Sequence, residues 1–372
     1  MRTFIQKMHG GILSLLSTII VILAGLAIGL IVLMVSDINA AFPAFSTIIS
    51  FGASSLRNIG DVLMRATPLI MTGLSVTFAY KTGLFNIGAA GQFAMGGFVA
   101  IYIGLEFTFL PSWLRIITAI LAAGAAGAVW GAIPGLLKAY RNVHEVITSI
   151  MTNYIAMHFL SWLIQEVIFD MGRTTTRALP TGENAIYGPS YLPSWGLEQV
   201  FVDGTGRPSG INIGIFIAII IAVLVYIVLN KTAFGYELKA CGLNKDAAKY
   251  AGINQNTNIV RSMMICGAIA GFGGALWFLN DRALSMDAIP ALVLTDLGFT
   301  GIAVAFLGLA NPIGVIFSSI FISYIFAGGA RIQGDGFSLQ LVEMVISVII
   351  YFCAFVLLVK TNLGKILFRR KD

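Results

Sequence analysis

Two stretches of this sequence concentrate the residue types that could do chemistry. The first runs Lys81-Thr-Gly-Leu-Phe-Asn-Ile-Gly-Ala-Ala-Gly-Gln-Phe, with Asn86 and Gln92 set among Gly83, Gly88, Gly91, Gly96 and Gly97. An amide side chain donates and accepts at once, so in an apolar setting it needs a partner. Glycine at this density permits either close helix packing or local unwinding. Two readings stand: a broken helix beside a polar pathway, and small-residue packing with the amides bonded across helices. The second stretch, Thr295 to Gly314, carries Asn311-Pro312 just before Gly314. It reads as a broken helix of the sort that marks transport pathways, or as a tight turn between two ordinary helices.

Catalytic patterns are missing. There is no HExxH or GxSxG, and His9, His144 and His158 are not grouped at metal-ligand spacing. Cys241, Cys266 and Cys353 form no CxxC, so neither a zinc site nor a disulfide framework is supported. No phosphate-binding loop is present either: Gly364-Lys365 is followed by Ile366 and lacks the upstream glycine. The chain therefore uses an ion gradient, runs passively or borrows an ATPase. Asp61, Arg65, Glu106, Asp296 and Glu343 fall near predicted outer helix ends, and Asp61 and Arg65 are spaced to pair on one helix face. None stands clearly at mid-bilayer, which argues against proton or sodium coupling.

The elements that must position these residues follow from composition. Of 372 residues, 58% are hydrophobic and only 11% charged, and the mean hydropathy is +0.89. Soluble proteins carry about 25% charged residues, so a soluble globular enzyme is excluded, and the apolar content excludes disorder. At ~20 apolar residues per crossing, the chain is expected to be an all-α integral membrane protein of about ten transmembrane helices. The runs are Gly11–Val35, Val62–Tyr80, Ile87–Leu105, Ile116–Leu137, Ile147–Phe169, Ile211–Leu229, Ile259–Leu279, Leu292–Ala310, Pro312–Gly328 and Leu339–Val359. The first is too long for a signal h-region and is read as a retained helix. The stretch Ala40–Ser55 is shorter than a span and is read as an interfacial outer segment.

Loop charge sets the orientation. With the N-terminus inside, the inner segments hold fifteen basic and four acidic residues, and every lysine is inner. That separation predicts an N-in, C-in topology with an even helix count. It also accounts for the net charge of +6 without nucleic acid. Helices two to five and seven to ten fit a pair of inverted repeats, as in many transporters. Residues 1–372 read as a single multispanning domain with two long connections. One is the outer insert 170–210, with Tyr187, Tyr191 and Trp195 near Pro189 and Pro193. The other is the inner loop 231–258, read as two short helices, Tyr236–Cys241 and Lys245–Ala251. Asn244 is placed to cap the second helix, Asp246 lies in its first turn and Gly252 follows its end.

Segments 83–100, 144–156, 235–254, 267–274 and 298–315, taken together and in this order, resemble a known family. They are similar to the permease subunit of bacterial ABC importers of the branched-chain amino acid and ribose superfamily. The nucleoside and simple-sugar branch, which partners basic-membrane-protein-type binding lipoproteins, fits best, and the resemblance covers about Leu63 to Val359. It implies a transport subunit in the bacterial cell membrane, without its own ATPase. Its implied partners are an ABC ATPase subunit with two nucleotide-binding domains, a second permease subunit in a heterodimer, and an extracytoplasmic substrate-binding lipoprotein. The inner loop resembles the family's coupling segment, which assigns ATPase coupling to Asn244, Lys245, Asp246, Ala247, Ala248 and Gly252. The cargo implied is a nucleoside, with a simple sugar such as ribose or galactose as the alternative; an ion-coupled secondary carrier is the rival class. A nucleoside pathway combines ring faces with amides, and Phe78, Phe85, Asn86, Gln92 and Phe93 are the candidates. No cofactor is implied. The chain departs from the family in two places: His144 stands where asparagine is usual, and the outer insert is long.

Overall fold

The computed structural model describes residues 2–180, 188–282, 285–333, 337–353, 355–356 and 358–362. Tyr187, Lys365, Arg369, Arg370, Lys371 and Asp372 lie outside them, as do the side chains of Lys245 and Asp246. The apolar runs fold into helices α1 (Arg2–Ser36), α2 (Ile38–Ser50), α3 (Leu56–Lys81), α4 (Ala89–Glu106), α5 (Ser112–Arg141) and α6 (Glu145–Leu163). They continue with α7 (Leu197–Val200), α8 (Gly214–Lys231), α9 (Ala233–Leu243), α10 (Lys245–Tyr250) and α11 (Gln255–Phe278). The last are α12 (Pro290–Val293), α13 (Asp296–Leu307), α14 (Pro312–Ile332) and α15 (Leu339–Cys353). β-Pairing among the described residues is limited to isolated bridges in and beside the outer insert.

Among the described residues, eight helices are long and apolar enough to cross a membrane: Leu16–Ser36, Leu56–Lys81, Ala89–Glu106, Ser112–Arg141, Glu145–Ile168, Gly214–Lys231, Gln255–Phe278 and Pro312–Ile332. They match eight of the ten expected runs, and the other two form shorter apolar helices. The run Leu292–Ala310 is not one helix. Its first part is the single turn α12, Leu294 and Thr295 are extended, and only then does the 12-residue α13 begin. At 1.5 Å per residue α13 is about 18 Å long, well short of a ~30 Å hydrocarbon core. Hydropathy counts apolar side chains and does not register two extended backbones among them. The stretch read as interfacial is helix α2, capped by Asp37, whose carboxylate accepts from the Asn39 and Ala40 amides at 2.9 and 3.2 Å.

Small residues bring the central helices together. Helix α11 is wedged between α5 and α4 by backbone contact. A methyl group on Gly127 would lie 2.2 Å from the Gly267 carbonyl oxygen, and one on Gly274 would lie 2.2 Å from that of Phe93. Such contacts maximise dispersion where lipid supplies no hydrophobic drive between helices. The packing also follows an inverted pattern. Helix α3 packs on α13 and α14 as α11 packs on α4 and α5, and α3 and α11 pack on each other. Those are the partner exchanges that inverted copies α3–α6 and α11–α15 would produce.

The start of α1 and the end of α15 lie at the same end of the bundle. Gly25 of α1 backs on Ile349 and Phe352 of α15, and Gly29 on Ile349 and Val345, so the two helices run antiparallel. Lys81 feels the charges of Lys239 and Lys360 at that same end. At the opposite end the insert 170–210 is stitched down. Ser190 Oγ donates to the Gly104 carbonyl at 2.7 Å and the Leu192 amide to Leu279 at 2.8 Å. The Thr176 amide donates to Met286 at 2.9 Å, and Asn280 Nδ2 donates to Gly210 at 3.0 Å. Its described residues form a strap over the outer ends of α4 and α11.

Candidate functional site

Helix α3 ends in a Schellman turn. Gly83 takes the left-handed conformation (φ 73°), its amide donates to Tyr80, and the Leu84 amide donates to Ala79 at 2.9 Å. The backbone stays non-helical until α4 starts at Ala89, so the first chemistry-bearing stretch does contain a break. Within it, Asn86 and Gln92 satisfy each other across the turn. Asn86 Nδ2 donates to Gln92 Oε1 at 2.7 Å, and Gln92 Nε2 donates back to Asn86 Oδ1 at 3.1 Å. Asn86 Nδ2 also donates to Ser75 Oγ at 2.9 Å, and that hydroxyl donates to the Cys266 carbonyl at 2.8 Å. Both amides are fully buried. Close packing holds as well: a methyl on Gly96 would lie 2.4 Å from the Gly271 Cα. The helix break and the small-residue packing thus coexist in different halves of one segment.

The aromatic candidates divide. Phe78 and Phe93 are buried in the core, with Phe93 6.2 Å from Phe278. Phe85 is half-buried and stacks on Phe306 at 6.1 Å, while Tyr80 meets the edge of the same Phe306 ring at 5.4 Å.

The second stretch is a tight turn at its inner end. Leu309 and Ala310 both hold positive φ (58° and 49°), and the Ala310 amide donates to Ala305 at 2.8 Å. Asn311 then caps α14 through the Ile313 amide at 3.0 Å, with Pro312 in the first turn. The break lies at the outer end of α13 instead. There α3, α11, α13 and α14 enclose a cavity of about 310 Å³, lined by Arg65, Trp277, Phe278, Thr295, Asp296 and Phe326 among others. Arg65 does not pair with Asp61. Its guanidinium lies 4.6 Å from the Phe326 ring centre, while Asp61 pairs with Arg57 at 3.8 Å and accepts from the Gly210 amide at 3.0 Å. Helical spacing brought Arg65 within reach of Asp61, and tertiary neighbours gave each a different partner. Arg65 Nε and Thr295 Oγ1 are buried without a hydrogen-bond partner among the described residues. A sequence signal for this cavity exists only in retrospect, in the ionisable residues at the outer ends of α3 and α13.

The inner loop folds as the residues suggested. Asn244 Oδ1 accepts from the Ala247 amide at 3.0 Å, capping α10. Gly252 adopts φ 79°, and the Ile253 amide donates to Ala248 at 3.0 Å, closing α10 with a second Schellman turn. Ala248 faces inward and is buried, while Ala247 and Gly252 are exposed. Sequence reasoning missed two residues here. Leu243 and Tyr250 are 89% and 94% exposed, the large apolar knobs of the loop. Gly242 touches the α3–α4 turn: its methyl would lie 2.6 Å from the Gly83 nitrogen. His144 caps α6: its ring nitrogen Nδ1 accepts from the Val146 amide at 3.3 Å.

A many-helix bundle with eight candidate spans among the described residues, interrupted helices and buried amides is that of a multi-pass membrane protein. Residues 58–354 match the family described as branched-chain amino acid transport system / permease component, and the chain belongs to that family. It is similar to the guanosine ABC transporter permease protein NupP of Bacillus subtilis (strain 168), 35% identical over 95% of this chain and 96% of the relative. It is similar to the nucleoside ABC transporter permease protein NupB of Lactococcus lactis subsp. cremoris (strain MG1363), 34% identical over 93% of this chain and 92% of the relative. The glucose ABC transporter permease protein TsgB13 of Haloferax volcanii is 29% identical over 90% of this chain and 85% of its own length. No solved structure matches.

Proposed function

We propose that this chain is the permease subunit of an ATP-driven nucleoside importer in a bacterial plasma membrane. The observation that carries the reading is near-full-length similarity to permeases named for guanosine and nucleosides. Residues 1–372 act as one permease domain. ATP is hydrolysed by a partner ATPase with two nucleotide-binding domains. A second permease subunit completes the pathway, and an extracytoplasmic binding lipoprotein delivers cargo to the outer face. The coupling segment is α10 with its flanks, Asn244, Lys245, Asp246, Ala247, Ala248 and Gly252. Exposed Leu243 and Tyr250 supply the apolar contact that seats it on the ATPase.

The moving part beside the pathway is the α3–α4 break. Asn86 and Gln92 hold it, Phe85 borders the pathway, and buried Phe78 and Phe93 back its wall. The glucose relative supports a second reading, import of a simple sugar. Reconstitution of the chain with ATPase, second permease and binding protein in proteoliposomes tests the proposal. ATP-dependent uptake of labelled guanosine is expected. Sugar uptake without nucleoside uptake selects the second reading. Uptake by this chain alone, following a proton or sodium gradient, overturns the class.

A further inference from the structure

The outer cavity between α3, α11, α13 and α14 has a built interior. The Arg65 guanidinium carbon lies over the Phe326 ring, 4.6 Å from its centre, with the Asp296 carboxylate close enough for its charge to be felt. Trp277 adds a second ring face. The volume of about 310 Å³ is at the small end of the range for small-molecule sites. Two polar atoms, Arg65 Nε and Thr295 Oγ1, are buried there without partners. A buried donor left unmade is costly, and a ligand that supplies acceptors relieves that cost. The charges of the described lining balance: Arg65 and Arg282 against Asp287 and Asp296. A balanced lining offers no net attraction to a phosphate, and the ring faces favour a flat heterocycle over a bare sugar.

We infer that this cavity is a binding site for a neutral nucleoside. The base lies against Trp277 and Phe326, and its acceptor edge meets Arg65 and Thr295. Asp296 accepts from the donor edge of the base and rejects the nucleotide. The inference rests on the proposed function and adds to it a place in the outer half of the chain, separate from the buried Asn86–Gln92 pair.

The test uses the complete transporter in proteoliposomes. Guanosine uptake by the parent is measured first; a parent that moves sugar and no nucleoside overturns the functional reading before any variant is made. In a working parent, Arg65→Gln and Trp277→Ala should each raise KM about tenfold or more, with kcat within about twofold. Trp277→Phe should restore most of the loss, because a ring face is what the base needs. Leu292→Cys, at an exposed position of the cavity lining, should react with an impermeant maleimide from outside. Excess guanosine should slow that reaction at least threefold, and guanosine monophosphate should not. Parent-like KM in both loss variants, with labelling indifferent to guanosine, overturns the site. Equal protection by the monophosphate overturns the assigned ligand class.

Discussion

Gly83 and Gly242 meet backbone to backbone. A methyl group added to Gly83 would lie 2.3 Å from the Gly242 Cα, a distance no side chain can occupy. The contact joins the end of α3 to the end of α9, and beside it the Thr82 and Ser262 hydroxyls, 2.5 Å apart, tie the same end of α3 to α11. Displacement of α9 and α10 therefore presses directly on the turn that carries Asn86.

Gly242→Ala should force that contact apart while leaving the eight spans intact. Guanosine uptake in the reconstituted transporter should fall at least tenfold, with ATP hydrolysis by the complex persisting. Uptake and hydrolysis measured together check this; parent-like uptake would remove the contact from coupling.

Asn86→Leu should destabilise the chain by about 1–3 kcal/mol, because Gln92 is left buried and unpaired. Replacing both, Asn86→Leu with Gln92→Leu, should cost less than Asn86→Leu alone, since no orphaned amide remains. Thermal unfolding in detergent distinguishes the pair from the single variant.

Leu243→Ser with Tyr250→Ser removes exposed apolar surface and breaks no internal contact of the bundle. The thermal midpoint should stay within a degree or two. Co-purification with the ATPase should be lost, because few interface residues carry most of the binding energy. Retained co-purification would move the docking surface elsewhere.

Asp203 pins the tip of the outer strap. Its carboxylate accepts from the Thr205 hydroxyl at 2.6 Å and from the Arg207 amide at 2.9 Å, and with Arg57 nearby its pKa falls to about 2. A carboxylate lowered on folding contributes stability above its unfolded pKa, ordinarily 3.8, and loses it as pH falls through about 2. Hydrogen exchange of the Thr205 and Arg207 amides should therefore lose protection across that acid window. Asp203→Asn should show the reduced protection already at pH 7.

Much of the architecture was legible because hydropathy and capping are local. Apolar runs marked the helices, and Asn244 and Gly252 marked both ends of α10. What was not legible depended on distant partners. The interruption at Leu294 and Thr295 lies inside an apolar run. The partner of Arg65 is a ring on α14, and the fourth wall of its cavity comes from α11. Asn86 and Gln92 were recognisable as needing partners, but only the folded turn made each the partner of the other. The type of His144 gave no sign of its role, which the fold reveals as a cap of α6 through its ring nitrogen.

The glycine seam along α11 has a mechanical corollary. Helices whose main chains touch resist rolling past one another, because at the points of backbone contact there is no side chain to change rotamer. The α4–α5–α11 slab must travel as one rigid body. Whatever bending accompanies transport is left to the short unwound joints at residues 82–88 and 308–311.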